Sequence, residues 1–303
     1  MAPSRGRTHR VGPTEAVAGL VSGAMAYDLS LVHVEVAGGI ATATIDNPPI
    51  NLMTLELFGQ LATLAELVER DPDVRVLVLR SADPDFFIAH FDVELILQFP
   101  TSAPVERETE HNSFHQMCER LRTMPKATIC VVAGRVGGGG SELAASCDMR
   151  FGLLGKTVVN QMEVPIGILP GGTGTQRLPR LLGRGRALEV ILGGADLDAA
   201  TAERWGYLNR AFDSADQLDA HVAELAGRIA GAPPAAVQAA KAAVLLAEPP
   251  VDEGLFAEAE LFAGLLRTPE AAPAMRAFLA AGGQTREAEL DVGELTRQLT
   301  GGI

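Results

Sequence analysis

The sequence predicts an α/β protein in which crossover helices connect a largely parallel sheet, on three observations. Segments with strand-like apolar patterns alternate with segments of helical period. Two of the strand segments, Val74–Leu79 (VRVLVL) and Ala127–Ala133 (ATICVVA), are almost continuously apolar, as strands covered on both faces are. The second of these runs through Gly134 into Gly137-Gly138-Gly139-Gly140, which reads as a strand-to-helix turn.

Taken in order, Leu31–Ala37 and Ile40–Ile45 flank Gly38-Gly39 and predict a β-hairpin that Asn47-Pro48-Pro49 ends. Thr54 caps a helix whose apolar positions Leu57, Leu61, Leu64 and Val68 share one face, and Asp71-Pro72 stops it. The strand at 74–79 follows, then a loop at 81–92, a helical segment around 105–122 and the strand at 127–133. From about residue 176 helical patterns dominate: Arg177–Leu192, Ala199–Trp205, Ala215–Ala230, Ala235–Leu246, Glu253–Leu266 and Glu270–Ala281. No linker, composition shift or internal repeat marks a second independent domain. Residues 1–26 carry Arg5, Arg7 and Arg10 without the compact apolar core of a signal peptide, and are expected to be a disordered extension. Residues 27–200 are expected to form the α/β core. Residues 201–303 are expected to be a helical region packing on the core and on neighbouring subunits, its many alanines offering a self-associating surface.

The 303 residues are 47% hydrophobic and 21% charged, enough for a buried core and too apolar for wholesale disorder. Aromatics are only 5%, whereas 32 glycines allow close backbone approach. A net charge of −13 argues against a nucleic-acid partner but leaves room for an anionic small molecule met by local amides or cations. No apolar run reaches the ~18 residues that cross a bilayer, so no membrane partner is expected. Cys118, Cys130 and Cys147 lack metal-ligand spacing and read as small buried thiols, consistent with a reducing cytoplasm.

The glycine run invites comparison with phosphate-binding motifs, and each fails. In G-x-G-x-x-G the third glycine position holds Glu142; in the P-loop pattern Gly140 stands where lysine belongs. In the nucleophile elbow Leu143 replaces the last glycine. What remains is a turn of bare amides at a positive helix end, suited to an oxygen that gains negative charge during reaction. Tight packing alone accounts more readily for one or two glycines than for four.

The stretch GRVGGGGSELAASCDMRF, followed by QMEVPIGILPGGTGTQRLPRLLGRGRALEVILGG, resembles the enoyl-CoA hydratase/isomerase (crotonase) superfamily. Asn47–Asn51, Phe87–Asp92, Asp198–Asn209 and the helix around Lys241 extend the resemblance over roughly residues 27–282. It implies a crotonase-like spiral of repeated ββα units with a C-terminal helical trimerisation region, a homotrimer or homohexamer, and an acyl-CoA thioester as substrate. Coenzyme A then enters as part of the substrate, and neither a separate cofactor nor a metal is implied. Two backbone amides would hold the thioester oxygen, one from Gly139 and one from Phe91. Ile88, Ala89, His90, Asp92, Gly138 and Gly171 would lie at the substrate.

Glu142 and Glu163 occupy the two positions where hydratases of the family place glutamates around one water. Syn addition of water across the C2=C3 bond needs a base for the water proton and an acid that protonates C2. The resemblance thus implies an enoyl-CoA hydratase, with Glu142 mainly activating water and Glu163 mainly protonating C2. Alternatives on the same fold are an isomerase, thioesterase, decarboxylase or dehalogenase, or a non-catalytic acyl-CoA-binding subunit. Several residues depart from the family pattern. His90 replaces a glycine and is expected to be a polar loop side chain rather than a proton-transfer group. Met162 stands for a common proline, and Tyr207 for an aliphatic residue. Gly282-Gly283-Gln284-Thr285 replaces the usual lysine- and proline-containing ending. Lys241 and Arg286 are candidate phosphate partners, with solvated helix cations the expected alternative. His111 and His115, spaced i, i+4, lack a third metal ligand and are expected on an exposed or pocket-lining helix.

Overall fold

The computed structural model describes residues 25–301, so the expectation for residues 1–26 falls almost wholly outside the described residues. Strands β1 (Val32–Ala37) and β2 (Ile40–Ile45) form the expected hairpin, with Ala37 opposite Ile40. Gly38 and Gly39 turn it with φ of +58° and +81°, a conformation that glycine adopts without a Cβ penalty. Helix α1 (Leu55–Arg70) starts where the Thr54 side chain accepts from the Leu57 N–H, and it buries Leu57, Leu61, Leu64 and Val68.

Three strand–strand–helix units follow. The first is β3 (Val76–Ser81) and β4 (Phe86–Ile88), with the short α2 (Val93–Ile96) and α3 (Ser113–Thr123). The second is β5 (Ala127–Val132), β6 (Arg135–Gly137) and α4 (Gly138–Ser146). The third is β7 (Met149–Leu153), β8 (Val158–Asn160) and α5 (Gly174–Leu182), with α6 (Arg184–Gly193) following. Each unit gives its first strand to a six-stranded sheet of order β1-β2-β3-β5-β7-β10 and its second to a smaller sheet of order β4-β6-β8-β9. The pairs β3·β5, β5·β7, β4·β6 and β6·β8 are all parallel, which makes the chain a spiral of ββα units. The repeat is absent from the residue pattern because successive units share geometry rather than side chains.

The chain continues through β9 (Leu197–Asp198), α7 (Ala199–Trp205), β10 (Arg210–Phe212), α8 (Ala215–Gly231) and α9 (Pro234–Leu245). It ends with α10 (Asp252–Leu265), α11 (Ala271–Ala280), α12 (Arg286–Glu289) and α13 (Val292–Leu299). Residue 200 does not close the core: β10 pairs in parallel with β7, and α8 covers one face of the large sheet. Val76, Val78, Ile129 and Val131 pack there with Leu218, Val222 and Ala226. Leu77, Leu79, Cys130 and Val132 point to the opposite face, into the main core with α1 and α4. This two-sided burial is why those strands read as continuous apolar runs.

Three local expectations shift. The segment 177–192 is two helices, because Gly183 at φ +81° breaks it. The segment 105–122 becomes helical only at Ser113, after Asn112 caps it by accepting from the His115 N–H. The tail beyond residue 281 holds α12 and α13, too short to announce a period. Among the described residues no helix is long and apolar enough to cross a membrane.

Candidate active site

The glycine run lies at the start of α4 and presses against the loop after β4. A Cβ on Gly137 would stand 2.5 Å from the Ala89 carbonyl, one on Gly139 3.2 Å from the Phe91 Cβ, and one on Gly140 2.6 Å from the Ile88 carbonyl. Gly138 has φ +43°, and a Cβ there would meet both Glu163 Oε1 and the His90 Cβ at 2.9 Å. Close packing therefore accounts for all four glycines, not one or two. The same approach brings the α4 N-terminus alongside the Phe91 loop. Among the described residues the Phe91 N–H donates to no protein acceptor, and the Gly139 N–H, in the first turn of α4, has no acceptor within its own helix.

A cavity of about 670 Å³ opens beside these amides, lined by Phe91, Gly139, Glu142, Glu163, His90 and Gly171. Ile88, Ala89, Asp92 and Gly138 do not line it. Ile88 and Ala89 are core residues, Asp92 caps α2 through the Glu94 N–H, and Gly138 gives room to Glu163 and His90. Phe58, Phe91, Phe99, Phe114 and Phe262, five of the chain's 11 phenylalanines, line the cavity. Phe58 and Phe114 are stacked there at 5.7 Å.

Glu142 is 4% exposed, and its Oε1 accepts from the Gly172 N–H at 2.8 Å and the Gly174 N–H at 2.7 Å. Between them Thr173 has φ +117°, in the left-handed region, which aims alternate amides in opposite directions. The Thr173 and Thr175 amides donate to the carboxylate of Glu258, at 2.7 and 3.0 Å. Glu258 belongs to α10, is 2% exposed, and also meets His115 Nε2 at 3.3 Å. One turn thus seats two buried carboxylates. Burial pushes the Glu142 carboxyl well above the usual range, and the charges of Glu163 and Glu258 push it further. Glu163 is 7% exposed and accepts from Gln161 Nε2 at 3.2 Å; burial pushes its carboxyl up to about 7, with His90 and Gln161 opposing. Two coupled acids facing one cavity hold protons near neutrality, where ordinary glutamates have none.

Several side chains take unexpected places. His90 is a polar loop side chain but a buried one: it is 3% exposed, with Nε2 3.0 Å from Glu289 Oε1 and Nδ1 2.8 Å from the Phe91 carbonyl. His115 is fully buried against Glu258 and the Gly171 carbonyl, while His111 pairs with Asp252 at 3.1 Å. Among the described residues no three His, Cys, Asp or Glu side chains are grouped to hold a metal ion. Neither Lys241 nor Arg286 is free for phosphate, and Arg286 is the more exposed of the two. Lys241 pairs with Asp148 at 2.9 Å, and Arg286 with Asp83 and Asp85 at 2.6 Å. Tyr207 is fully buried and bonds Ser141 of α4. Glu258, Glu289 and the Gly172–Thr175 amides escape a reading of the sequence alone, since on helices and turns they resemble surface acids and loop backbone.

The family profile described as enoyl-CoA hydratase/isomerase matches residues 35–283. The short-chain-enoyl-CoA hydratase of Clostridium acetobutylicum is 30% identical over 254 residues, 83% of this chain and 95% of that protein. The fatty acid oxidation complex subunit alpha of Aliivibrio fischeri is 36% identical over 174 residues, 56% of this chain; the match spans only a quarter (25%) of that longer protein. Among solved structures, a candidate enoyl-CoA hydratase from Streptomyces avermitilis superposes with a TM-score of 0.82 at 36% identity, covering 90% of this chain and 99% of that one. With the ββα spiral and a family match across most of its length, the chain belongs to the enoyl-CoA hydratase/isomerase (crotonase) superfamily of acyl-CoA enzymes.

Proposed function

We propose that this protein is an enoyl-CoA hydratase, adding water to a 2-enoyl-CoA thioester to give the 3-hydroxyacyl-CoA. The single observation that carries the reading is that two buried carboxylates, Glu142 and Glu163, face the same cavity as Phe91, whose N–H is unengaged, and Gly139 in the first turn of α4. In this reading the Phe91 and Gly139 amides receive the thioester oxygen and stabilise the enolate that forms when water attacks C3. Glu142 takes the water proton and Glu163 gives its own to C2. The pair starts and ends with one proton, moved from one carboxylate to the other. When Glu163 is protonated, one of the two like charges that raise Glu142 is removed, and the two amide donors at Oε1 favour its anion against burial and the charge of Glu258.

The phenylalanine lining suits an apolar acyl group. At the rim, the partly exposed Arg267 is bonded to the Ala103 carbonyl at 3.0 and 3.1 Å, with no carboxylate within 4.0 Å among the described residues. It replaces Lys241 and Arg286 as the cation for the anionic end of coenzyme A. Self-association as a homotrimer or homohexamer belongs to the same reading. Helix α9 buries no residue within the chain, and Val244 and Leu246 are 69% and 86% exposed. Native mass measurement showing only monomer would remove that part. A cytoplasmic location is checked by cell fractionation.

The decisive experiment follows loss of the enoyl absorbance of crotonyl-CoA and longer 2-enoyl-CoA thioesters. Glu142→Gln and Glu163→Gln are each expected to lower kcat by about 10²–10⁴. Full turnover in both variants sinks the mechanism. Conversion of 3-enoyl thioesters without hydration would favour the isomerase instead.

A further inference from the structure

Two departures from the family pattern, His90 in the loop after β4 and the altered ending around Gln284, meet in space. His90 Nε2 lies 3.0 Å from Glu289 Oε1, and the Val93 N–H donates to Gln284 Oε1 at 2.7 Å. Glu289 Oε1 also accepts the Gln284 N–H at 2.8 Å, so the two contacts form one clasp.

The hydrogen bonds define the charge on the ring. Nδ1 faces the Phe91 carbonyl, which can only accept. Nε2 faces an oxygen already accepting from Gln284. Nδ1 therefore carries hydrogen, and with Glu289 ionised Nε2 carries one too, which makes the ring an imidazolium. Burial opposes charge on both partners. The opposite charge and the hydrogen bonds to each partner together outweigh it, raising the His90 pKa and lowering that of Glu289. The other ionisable groups bearing on the pair are Glu163, which acts on His90, and Arg135 of β6, which acts on Glu289. Phe278 of α11 stands edge-on to the ring at 5.8 Å and completes its cover.

The clasp has a consequence for the Phe91 peptide. The His90 carbonyl accepts from the Met53 N–H, and the Asp92 N–H donates to the Met53 carbonyl. The Asp92 carbonyl accepts from the Ile96 N–H. With Phe91 O taken by His90 and Val93 N–H by Gln284, every backbone polar group from His90 O to Val93 N–H is engaged except the Phe91 N–H.

We propose that Glu289 and Gln284 are positioning residues that aim the Phe91 amide at the thioester oxygen, Glu289 acting through a His90 imidazolium. The proposal rests on the hydratase reading for its kinetic test only. In the full-length protein, Glu289→Gln is expected to lower kcat about tenfold or more with KM nearly unchanged, as misaiming a donor does. Its alkaline activity limb should move to lower pH, because the imidazolium loses its counter-charge. Gln284→Ala should lower kcat less, roughly threefold, and leave the pH profile in place. In a His90→Gly background, Glu289→Gln should cost nothing further in kcat. A folded Glu289→Gln protein with wild-type kcat and an unshifted limb overturns the proposal.

A second measurement needs neither turnover nor a variant that folds. In ¹⁵N-histidine-labelled wild-type protein, the His90 ring, assigned through its contact with Phe278, is expected to keep both N–H groups at pH 8. A neutral ring at pH 7 overturns the clasp. Wild-type protein that hydrates no enoyl thioester removes the hydratase reading, and the ring titration still decides the charge.

Discussion

The Gly139 amide stands on α4, a helix buried along its whole length, whereas the Phe91 amide stands in a loop tied to residues 191 and 199 positions further along the chain. On the α4 side the donor comes from local sequence: a strand ends, glycines turn, and a helix begins with its amides unengaged. On the loop side no local rule places the amide, and it depends on side chains from α12 and its approach. The same chemical group, a backbone N–H, is thus produced once by short-range and once by long-range order. A site built this way can change one donor's support without touching the other.

The contrast can be broken most severely at Gly140, where both sides touch. A Cβ there would stand 2.6 Å from the Ile88 carbonyl and 2.7 Å from the Ile88 Cβ, both on fixed elements. Gly140→Ala is expected to lose about 3 kcal/mol, the upper part of the usual overpacking range, and most activity. A thermal melt with parallel turnover checks it, and an active, wild-type-stable variant would show that close approach does not join the two amides.

An effect of similar size, but present only above neutral pH, concerns the Glu163 carboxyl. Glu163 is raised from 4.5 to about 7 in the folded protein, so ionising it opposes folding. The stability it contributes is complete below about pH 4.5 and is lost as pH rises through about 7. Glu163→Gln, uncharged throughout, should be more stable than wild type above pH 7, by up to about 3.5 kcal/mol at roughly 1.4 kcal/mol per unit. The advantage should fade toward pH 4.5. Melting curves at pH 5 and pH 8 decide it; equal differences at the two values contradict the buried-acid account.

The smallest effect tests the loop side from outside. Arg286 begins α12 and bridges Asp83 and Asp85 at a partly exposed site. Arg286→Ala should cost under about 1 kcal/mol, as such surface pairs do. It should reduce kcat by about threefold at most, since Glu289 keeps its bonds to His90 and Gln284. A larger loss of kcat would place the anchor of the clasp at Arg286.

Much of the fold was legible because it rests on local rules. The hairpin turn at Gly38-Gly39, the Thr54 cap and the doubly apolar β3 and β5 each follow from neighbours in the chain. Strands β4, β6, β8 and β9 hold only two or three residues and carry no period, so the second sheet was not legible. In the site, the motif singled out Gly139, Phe91, Glu142 and Glu163. It could not distinguish Glu258 and Glu289 from solvated helix acids, because their partners lie 85 and 199 positions away. The burial of His90 and its pairing with Glu289 are illegible for the same reason.

The sequence by itself determined the alternation of strands and helices, the bare-amide turn at the glycine run, and the family that these motifs resemble. These depend on period, backbone freedom and spacing within a few residues. Tertiary structure alone decided which acids are buried, which cations are already paired, and which donors remain free. Burial and charge pairing are set by residues brought together from distant parts of the chain, and those same contacts move the carboxyls of Glu142 and Glu163 toward neutrality.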